Sequence, residues 1–222
     1  MKEISKKEIY NLIGEVARPI ILDIGTYDGA DAQAIASMYH ECEVHCFEAD
    51  PRSIDIFLEL NRNEEDLYLH TNAIGNVDDV ISFHQSDSTT RRHSHNPNSW
   101  SASSSIKKPK EHLTLFPDVE FNNTIQVRCL KLDTWYNNNL KSQIVDFIWA
   151  DVNGGEEELI LGGVETLSRR VRFLYIEFSD RELYENSINK EKILELLPDF
   201  ELIDTYNFQG NFGNVLLKNK LL

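Results

Sequence analysis

The sequence predicts an α/β fold built on one doubly wound sheet. Short apolar runs, such as those at 20–24 and 144–152, alternate with stretches whose apolar residues recur at helical spacing. The first run leads directly into a glycine turn, and open α/β sheets bind ligands where such strands end. No internal repeat or linker interrupts the pattern, and 222 residues are enough to bury a core, so we expect a single domain over residues 1–222.

The individual elements follow from local signals. Asp50 is suited to cap a helix whose first turn accepts Pro51, and the apolar residues of 155–168 share one helical face. The last two strands, ELIDTYNF and GNVLLKN, lie close enough to form a hairpin. Strands are expected at 19–24, 43–48, 67–74, 80–84 (peripheral), 124–130, 144–152, 172–178, 201–208 and 213–219; helices are expected at 30–39, after residue 50, at 155–168 and at 190–197.

The composition indicates the cellular location of the protein and excludes some classes of binding partner. A net charge of −15 argues against binding to nucleic acid or anionic lipid, which a basic surface would attract. No apolar run approaches the roughly 18 residues of a membrane span, and the N-terminal sequence lacks the apolar core of a signal peptide. Three cysteines, an odd number, are typical of reduced thiols. We therefore expect a cytoplasmic protein.

The stretch ILDIGTYDGAD predicts a cofactor site after the first strand. Its glycines remove side chains where backbone passes close to a ligand, and Glu48, at the end of the second strand, is placed to accept hydrogen bonds from two ribose hydroxyls. Asp28 disfavours a pyrophosphate and favours a cation, which favours S-adenosylmethionine over NAD. A tight turn without a ligand is the alternative. The candidate cofactor residues here are Gly25, Tyr27, Asp28, Gly29 and Glu48.

Several segments, in order, resemble the FkbM family of S-adenosylmethionine-dependent methyltransferases. They are ILDIGTYDGAD, FEADP, TNAIGN, VDFIWADVNGGEEELILGG and LYIEFSDRELYE, and together they span roughly residues 20–184. The resemblance implies a class I methyltransferase fold, a Rossmann-like sheet of seven mostly parallel strands with an antiparallel last strand. Asn153 departs from the glutamate or glutamine of the family motif, and Gly155 from a commoner alanine.

The resemblance also implies roles for individual residues. Asp23 and Gly25 would line the methionine end of the cofactor, and Glu48 would hold the ribose. Asn72 and Ala73 would flank the adenine. Asp151 would stand near the reacting methyl group.

Acids at strand ends are the candidate catalytic residues. Asp151 is the first candidate for a base that deprotonates an acceptor hydroxyl, Glu177 is the second, and Glu156 is a weaker one. A divalent metal held by Asp151 with Glu156 or Glu177 stays open. The alternative is that these acids only cap helices or bind loop amides.

Residues 87–120 are polar and serine-rich, and we expect a long loop insertion near the acceptor site. Five cations face two acids between 87 and 112, a net charge of +3. Arg91 and Arg92 could meet an anionic acceptor, and Trp100 could stack on a sugar face. We also expect the loop to order over the site when acceptor binds. A solvated, mobile loop is the alternative.

These observations predict an S-adenosylmethionine-dependent O-methyltransferase that releases S-adenosylhomocysteine and acts on a hydroxyl of a sugar or glycan-like small molecule. The oxygen acceptor and the sugar class come from the family resemblance. A catalytically silent binding module with the same fold and an NAD-dependent reductase are the alternatives.

Overall fold

The computed structural model describes residues 3–88, 90–91, 100–208 and 212–222. These residues contain ten β-strands, which form two sheets. In chain order they are β1 (Ile20–Ile24), β2 (Glu43–Phe47), β3 (Leu67–His70), β4 (Ala73–Gly75), β5 (Asp79–Ser88), β6 (Val119–Lys131), β7 (Val145–Ala150), β8 (Val171–Ser179), β9 (Phe200–Phe208) and β10 (Phe212–Asn219).

Seven of these strands form the main sheet, in the order β3-β2-β1-β7-β8-β10-β9. The pairs from β3 to β8 are parallel, whereas β10 runs antiparallel to both β8 and β9. The predicted doubly wound sheet with an antiparallel last strand is therefore confirmed. The chain order reverses at β1, between β2 and β7, and this reversal opens a crevice at the carboxyl ends of those strands.

Helices cover both faces of this sheet. They are α1 (Lys6–Ile13), α2 (Ala30–Ala36), α3 (Pro51–Leu60), α4 (His112–Leu115), α5 (Leu132–Asn139), α6 (Glu156–Gly162), α7 (Val164–Arg170) and α8 (Lys190–Leu196). Leu22 of β1 packs in a cluster with residues of α5 to α8, and Ile21 packs in a second cluster with residues of α1 to α3. All five residues of β1 are buried because both of its faces meet a helical layer. None of the helices in the described residues is long and apolar enough to cross a membrane.

A second sheet, in the order β4-β6-β5, corrects the expected strand pattern. The strand expected at 67–74 is divided at 71–72, because β3 pairs with β2 while β4 pairs with β6. The peripheral strand expected at 80–84 is the longer β5, which runs to Ser88 and pairs antiparallel with β6. The irregular segment between them is therefore shorter than 87–120, and it contains the short helix α4.

The helix expected at 155–168 is two helices that meet at Gly163. Gly162 lies against the backbone of β4, where an added Cβ would come within 1.8 Å of the Gly75 carbonyl oxygen. At Gly163 an added Cβ would meet the side chain of Leu132 at 2.8 Å. Close packing of α6 on the second sheet and on α5 accounts for the break.

Candidate active site

A cavity of about 390 Å³ lies at the carboxyl ends of β1, β2 and β7. It brings together eight of the residues predicted from the sequence: Asp23, Gly25, Tyr27, Asp28, Glu48, Asn72, Ala73 and Asp151. Gly29 does not line it. An added Cβ at Gly29 would meet the Phe57 ring at 2.5 Å, so this glycine allows the turn to pack on α3.

The glycine turn joins the exits of two central strands. Gly25 has a φ of +87°, and an added Cβ there would lie 1.9 Å from the carbonyl oxygen of Asp151. The Asp151 N–H donates a hydrogen bond of 2.9 Å to the carbonyl of Ile24. Gly25 is therefore required for contact between the ends of β1 and β7, in addition to any approach to a ligand.

Glu48 is buried and held by three backbone N–H groups. Its Oε1 accepts from Ala49 at 2.7 Å and from Asp50 at 2.8 Å, and its Oε2 accepts from Tyr27 at 3.1 Å. Burial raises the pKa of this carboxyl to about 7, against the lowering effect of these hydrogen bonds. Because each carboxylate oxygen has two acceptor positions, Oε2 keeps one for a ligand hydroxyl.

Asp23 and Asp28 have different local roles. Thr26 Oγ1 donates to Asp23 Oδ2 at 2.5 Å, and burial raises the pKa of the Asp23 carboxyl to about 7. Asp28 Oδ1 accepts from the Ala30 N–H at 3.0 Å and so satisfies one of the free donors at the start of α2. Asp28 therefore stabilises the start of α2, in addition to the electrostatic role predicted for it from the sequence.

Part of the cavity lining is apolar. Phe47, Ala73, Ile74 and Phe83 line it. The buried Asn72 contributes an amide whose Nδ2 donates to the Ala73 carbonyl at 2.8 Å. Apolar walls with one amide are suited to a flat heteroaromatic base.

Three acids lie close together at the ends of β7 and β8. Asp151 has surface open to the cavity, yet the protein around it removes enough water to raise the pKa of its carboxyl to about 6. Glu156 Oε1 accepts from the Gly154 N–H at 3.1 Å, and burial raises its pKa to about 7. Burial, Asp151 and Glu156, in that order, raise the pKa of Glu177 well above its usual range.

Glu156 and Glu177 do not reach the large cavity. They line a separate pocket of about 10 Å³ behind Gly154, together with Tyr184 and Ser187. In the described residues the Glu177 carboxyl has no hydrogen-bond partner, and no group of three His, Cys, Asp or Glu side chains is arranged to hold a metal ion. The divalent metal considered from the sequence stays a hypothesis.

A segment that the sequence assigned only to a loop forms one wall of the cavity. Ser101, Ala102, Ser104 and Ile106 line it, and we call Trp100–Ile106 the roof segment. The expected ordering of the loop over the site on acceptor binding stays a prediction. One sequence feature could have indicated the roof segment: the uncharged serine run SASSSI stands directly before the strongly charged stretch KKPKEH.

Arg91 and Trp100, expected on the acceptor side, do not line the cavity. Arg91 forms an ion pair with Asp118 at 2.7 Å, and its guanidinium lies over the rings of Trp100 and Phe116. Arg92, the third expected acceptor residue, lies outside the described residues.

The positive charge of the loop is largely matched by acids within the fold. Besides the Arg91 pair, Lys107 pairs with Glu158 at 2.5 Å and Lys110 pairs with Glu182. These contacts weaken the expectation of an anionic acceptor, because three of the five cations already have partners.

The residues of the cavity fit S-adenosylmethionine. Carboxylates with raised pKa values line the cavity and favour a cation, Glu48 offers a free acceptor position for a ribose hydroxyl, and part of the lining is apolar. With the seven-stranded sheet and its antiparallel β10, this site defines a class I S-adenosylmethionine-dependent methyltransferase.

The chain belongs to the FkbM methyltransferase family, because residues 23–209 match the methyltransferase FkbM domain. It is 38% identical over 217 residues to the 2-O-methyltransferase NoeI of Sinorhizobium fredii (strain NBRC 101917 / NGR234), covering 97% of this chain and 85% of that protein. This membership decides against the NAD-dependent reductase.

Solved structures support the fold. The N-methyltransferase NodS from Bradyrhizobium japonicum WM9 aligns with a TM-score of 0.52 at 11% identity, over 96% of this chain and 93% of that one. Fibrillarin from Aeropyrum pernix, in complex with S-adenosyl-L-methionine, aligns with a TM-score of 0.51 at 12% identity, over 90% of this chain and 66% of that one.

Proposed function

We propose that the protein methylates a hydroxyl of a sugar or glycan-like small molecule. The relative that is 38% identical over nearly the whole chain is a 2-O-methyltransferase, which supports oxygen as the acceptor atom. The sugar class rests on the family resemblance. Residues 1–222 would act as one domain. A cytoplasmic location is part of the proposal, supported by the free, buried state of Cys42, Cys46 and Cys129.

The cofactor would lie along the cavity with its charged end toward the acids. Asp23 and the Gly25 turn would contact the methionine part, Glu48 would accept from the ribose, and Asn72 and Ala73 would flank the adenine. Tyr27 contributes through its backbone N–H, which fixes Oε2 of Glu48. Gly29 would contribute only by shaping the turn.

Asp151 is the proposed base, and its position in the cavity with a pKa of about 6 is the observation that carries this role. When bound, S-adenosylmethionine would supply an electrophilic methyl group to the acceptor oxygen, with the methyl–sulfur bond breaking in line and S-adenosylhomocysteine leaving. Asp151 would accept the hydroxyl proton, since a carboxyl with this pKa is mostly ionised at neutral pH.

Glu177 and Glu156 would act from behind Asp151. Burial and the neighbouring Asp151 raise the pKa of Glu177, so Glu177 would hold a proton near neutral pH and leave the charge on Asp151. Glu156 would keep the backbone of Gly154 in place through its 3.1 Å hydrogen bond. Both are proposed as supporting acids rather than as the base.

The acceptor would approach beside the roof segment and the loop that precedes it. Arg91 and Arg92 precede the roof segment in the sequence and Trp100 begins it, and their part in acceptor binding stays a prediction.

A labelled methyl-transfer assay over sugars, nucleotide sugars and glycan extracts tests the function. Transfer of label to a hydroxyl of one sugar class is the expected result, and mass spectrometry of the product identifies the methylated atom. Binding of S-adenosylhomocysteine by calorimetry without transfer to any acceptor would favour the silent binding module instead.

A further inference from the structure

The roof segment is fixed on one side by residues of α3 and β5. Ser101 Oγ and Ser53 Oγ share a hydrogen bond of 2.8 Å, and Ser104 Oγ donates to Asp50 Oδ2 at 3.0 Å. Ser86 Oγ accepts from the Ser103 N–H at 3.1 Å. Asp50 is fully buried and also binds Arg52, so this side of the roof segment rests on a rigid ion pair.

The other side of the roof segment is held by Asn153 and Tyr184. Asn153 Nδ2 donates to the Ala102 carbonyl at 3.2 Å, and Tyr184 Oη donates to the Ser103 carbonyl at 2.7 Å. Tyr184 Oη also lies 3.3 Å from Asn153 Oδ1, so the two side chains are neighbours. Ser105 Oγ completes the contact by donating to the Asn153 carbonyl at 2.7 Å.

The backbone conformation at Asn153 and Gly154 allows these contacts with the roof segment and Tyr184. Asn153 has a φ of +50°, a left-handed conformation that asparagine tolerates better than most residues. An added Cβ at Gly154 would lie 2.8 Å from the ring of Tyr184, so the glycine lets the buried ring rest on the chain. Asp151 precedes Asn153 by two residues, and the same loop therefore carries the proposed base and the roof contact.

We propose that Asn153 and Tyr184 are positioning residues that hold the roof segment closed over the cofactor and slow the release of S-adenosylhomocysteine. The Tyr184 hydroxyl binds the Ser103 carbonyl, and neither residue lines the cavity, so its loss frees the wall without changing the cavity lining, whereas Asn153 and Ala102 themselves line the cavity. The inference rests on the assignment of the large cavity to S-adenosylmethionine.

Three variants of the full chain test the proposal. Tyr184→Phe removes the hydroxyl and keeps the ring. Asn153→Asp keeps an acceptor beside Tyr184 but loses the donor to Ala102. Tyr136→Phe is the matched control, because Tyr136 Oη also donates to a backbone carbonyl, that of Gln143, at 2.5 Å, and Tyr136 does not line the cavity.

The readouts are the dissociation rate of S-adenosylhomocysteine by stopped flow and its Kd by calorimetry. We expect release to accelerate about three- to tenfold in Tyr184→Phe and Asn153→Asp, the factor that one hydrogen bond supplies, with Kd rising in parallel. Tyr136→Phe is expected to match the wild type in both. Amide exchange at Ser103 and Ser104 should also become faster in the first two variants only.

The outcomes separate the roof contact from the cofactor assignment. Wild-type protein that binds S-adenosylhomocysteine, with release from both roof variants at the wild-type rate, would overturn the positioning role alone. Wild-type protein that does not bind S-adenosylhomocysteine would overturn the cofactor assignment and this inference with it. If Tyr184→Phe does not fold, amide exchange at Ser103 and Ser104 in Asn153→Asp decides the question, because it reports on the roof segment itself while Asn153 also lines the cavity.

Discussion

The backbones of Gly25 and Asp151 are in contact at the ends of two parallel strands, so that a Cβ on Gly25 would lie 1.9 Å from the Asp151 carbonyl oxygen. The turn predicted to hold the cofactor and the residue proposed to remove the acceptor proton are therefore one packed unit. Because interiors are close-packed and transmit strain, we expect a side chain added at Gly25 to displace the backbone of Asp151.

Gly25→Ala is expected to lose cofactor binding and to lower the melting temperature. The left-handed backbone alone costs an alanine about 1–3 kcal/mol, and the collision with Asp151 adds to this. Gly14→Ala is the control for backbone strain without a collision, because Gly14 has a φ of +75° and a ψ of −158°, a region nearly restricted to glycine, and nothing lies within 4 Å of an added Cβ. Thermal melts and calorimetry with S-adenosylhomocysteine measure both effects. Equal losses of stability and of S-adenosylhomocysteine binding in the two variants would contradict a role for the close approach of Gly25 to the Asp151 carbonyl.

Asp151→Asn is expected to reduce turnover by about 10²- to 10⁴-fold, the usual contribution of a general base, while the Kd of S-adenosylhomocysteine changes little. In the wild type, kcat/KM should fall as the pH drops below about 6, because protonated Asp151 cannot accept the hydroxyl proton. Steady-state kinetics between pH 5 and 9 check the profile. Full activity in Asp151→Asn would remove this residue from the mechanism.

The sequence predicts the centre of the main sheet and the cofactor turn because their signals are local. β1 is an unbroken apolar run, the turn glycines follow it directly, and Asp50 caps α3 within its own segment. Glu48 could be assigned because the end of β2 must lie beside the end of β1 in such a sheet.

The second sheet and the roof segment could not be predicted because their partners are distant in sequence. β4 is only three residues long, and its pairing of Ala73 with Cys129 has no local signature. The roof serines resemble any polar loop until their partners Asp50 and Asn153 are known. The ion pair of Arg91 could not be predicted for the same reason, because its partner Asp118 is distant in sequence.

Binding of S-adenosylmethionine is expected to release protons near pH 6.5. Asp23 and Glu48, with pKa values of about 7, and Asp151, at about 6, line the cavity, and a sulfonium cation beside them favours their ionised forms. S-adenosylhomocysteine lacks that cation and should release fewer protons. Calorimetry in buffers of different ionisation enthalpy measures the difference, and equal proton release for both ligands would contradict it.

The ligand-free protein is expected to lose stability as the pH rises from 6.5 to 8. The folded pKa of Glu156, about 7, lies above its ordinary value of 4.5, so its stabilising contribution is complete below pH 4.5 and disappears as the pH rises through 7. Buried His45 and His70, with pKa values of about 4, act in the opposite direction, but only below about pH 6.5.

Glu156→Gln should therefore flatten this decline, because its amide oxygen can still accept from Gly154 without ionising. Glu157→Gln, one position along α6 and less buried, should leave the slope unchanged. Thermal melts at half-unit pH intervals compare the three proteins, and parallel curves for all of them would show that Glu156 is not a source of the decline.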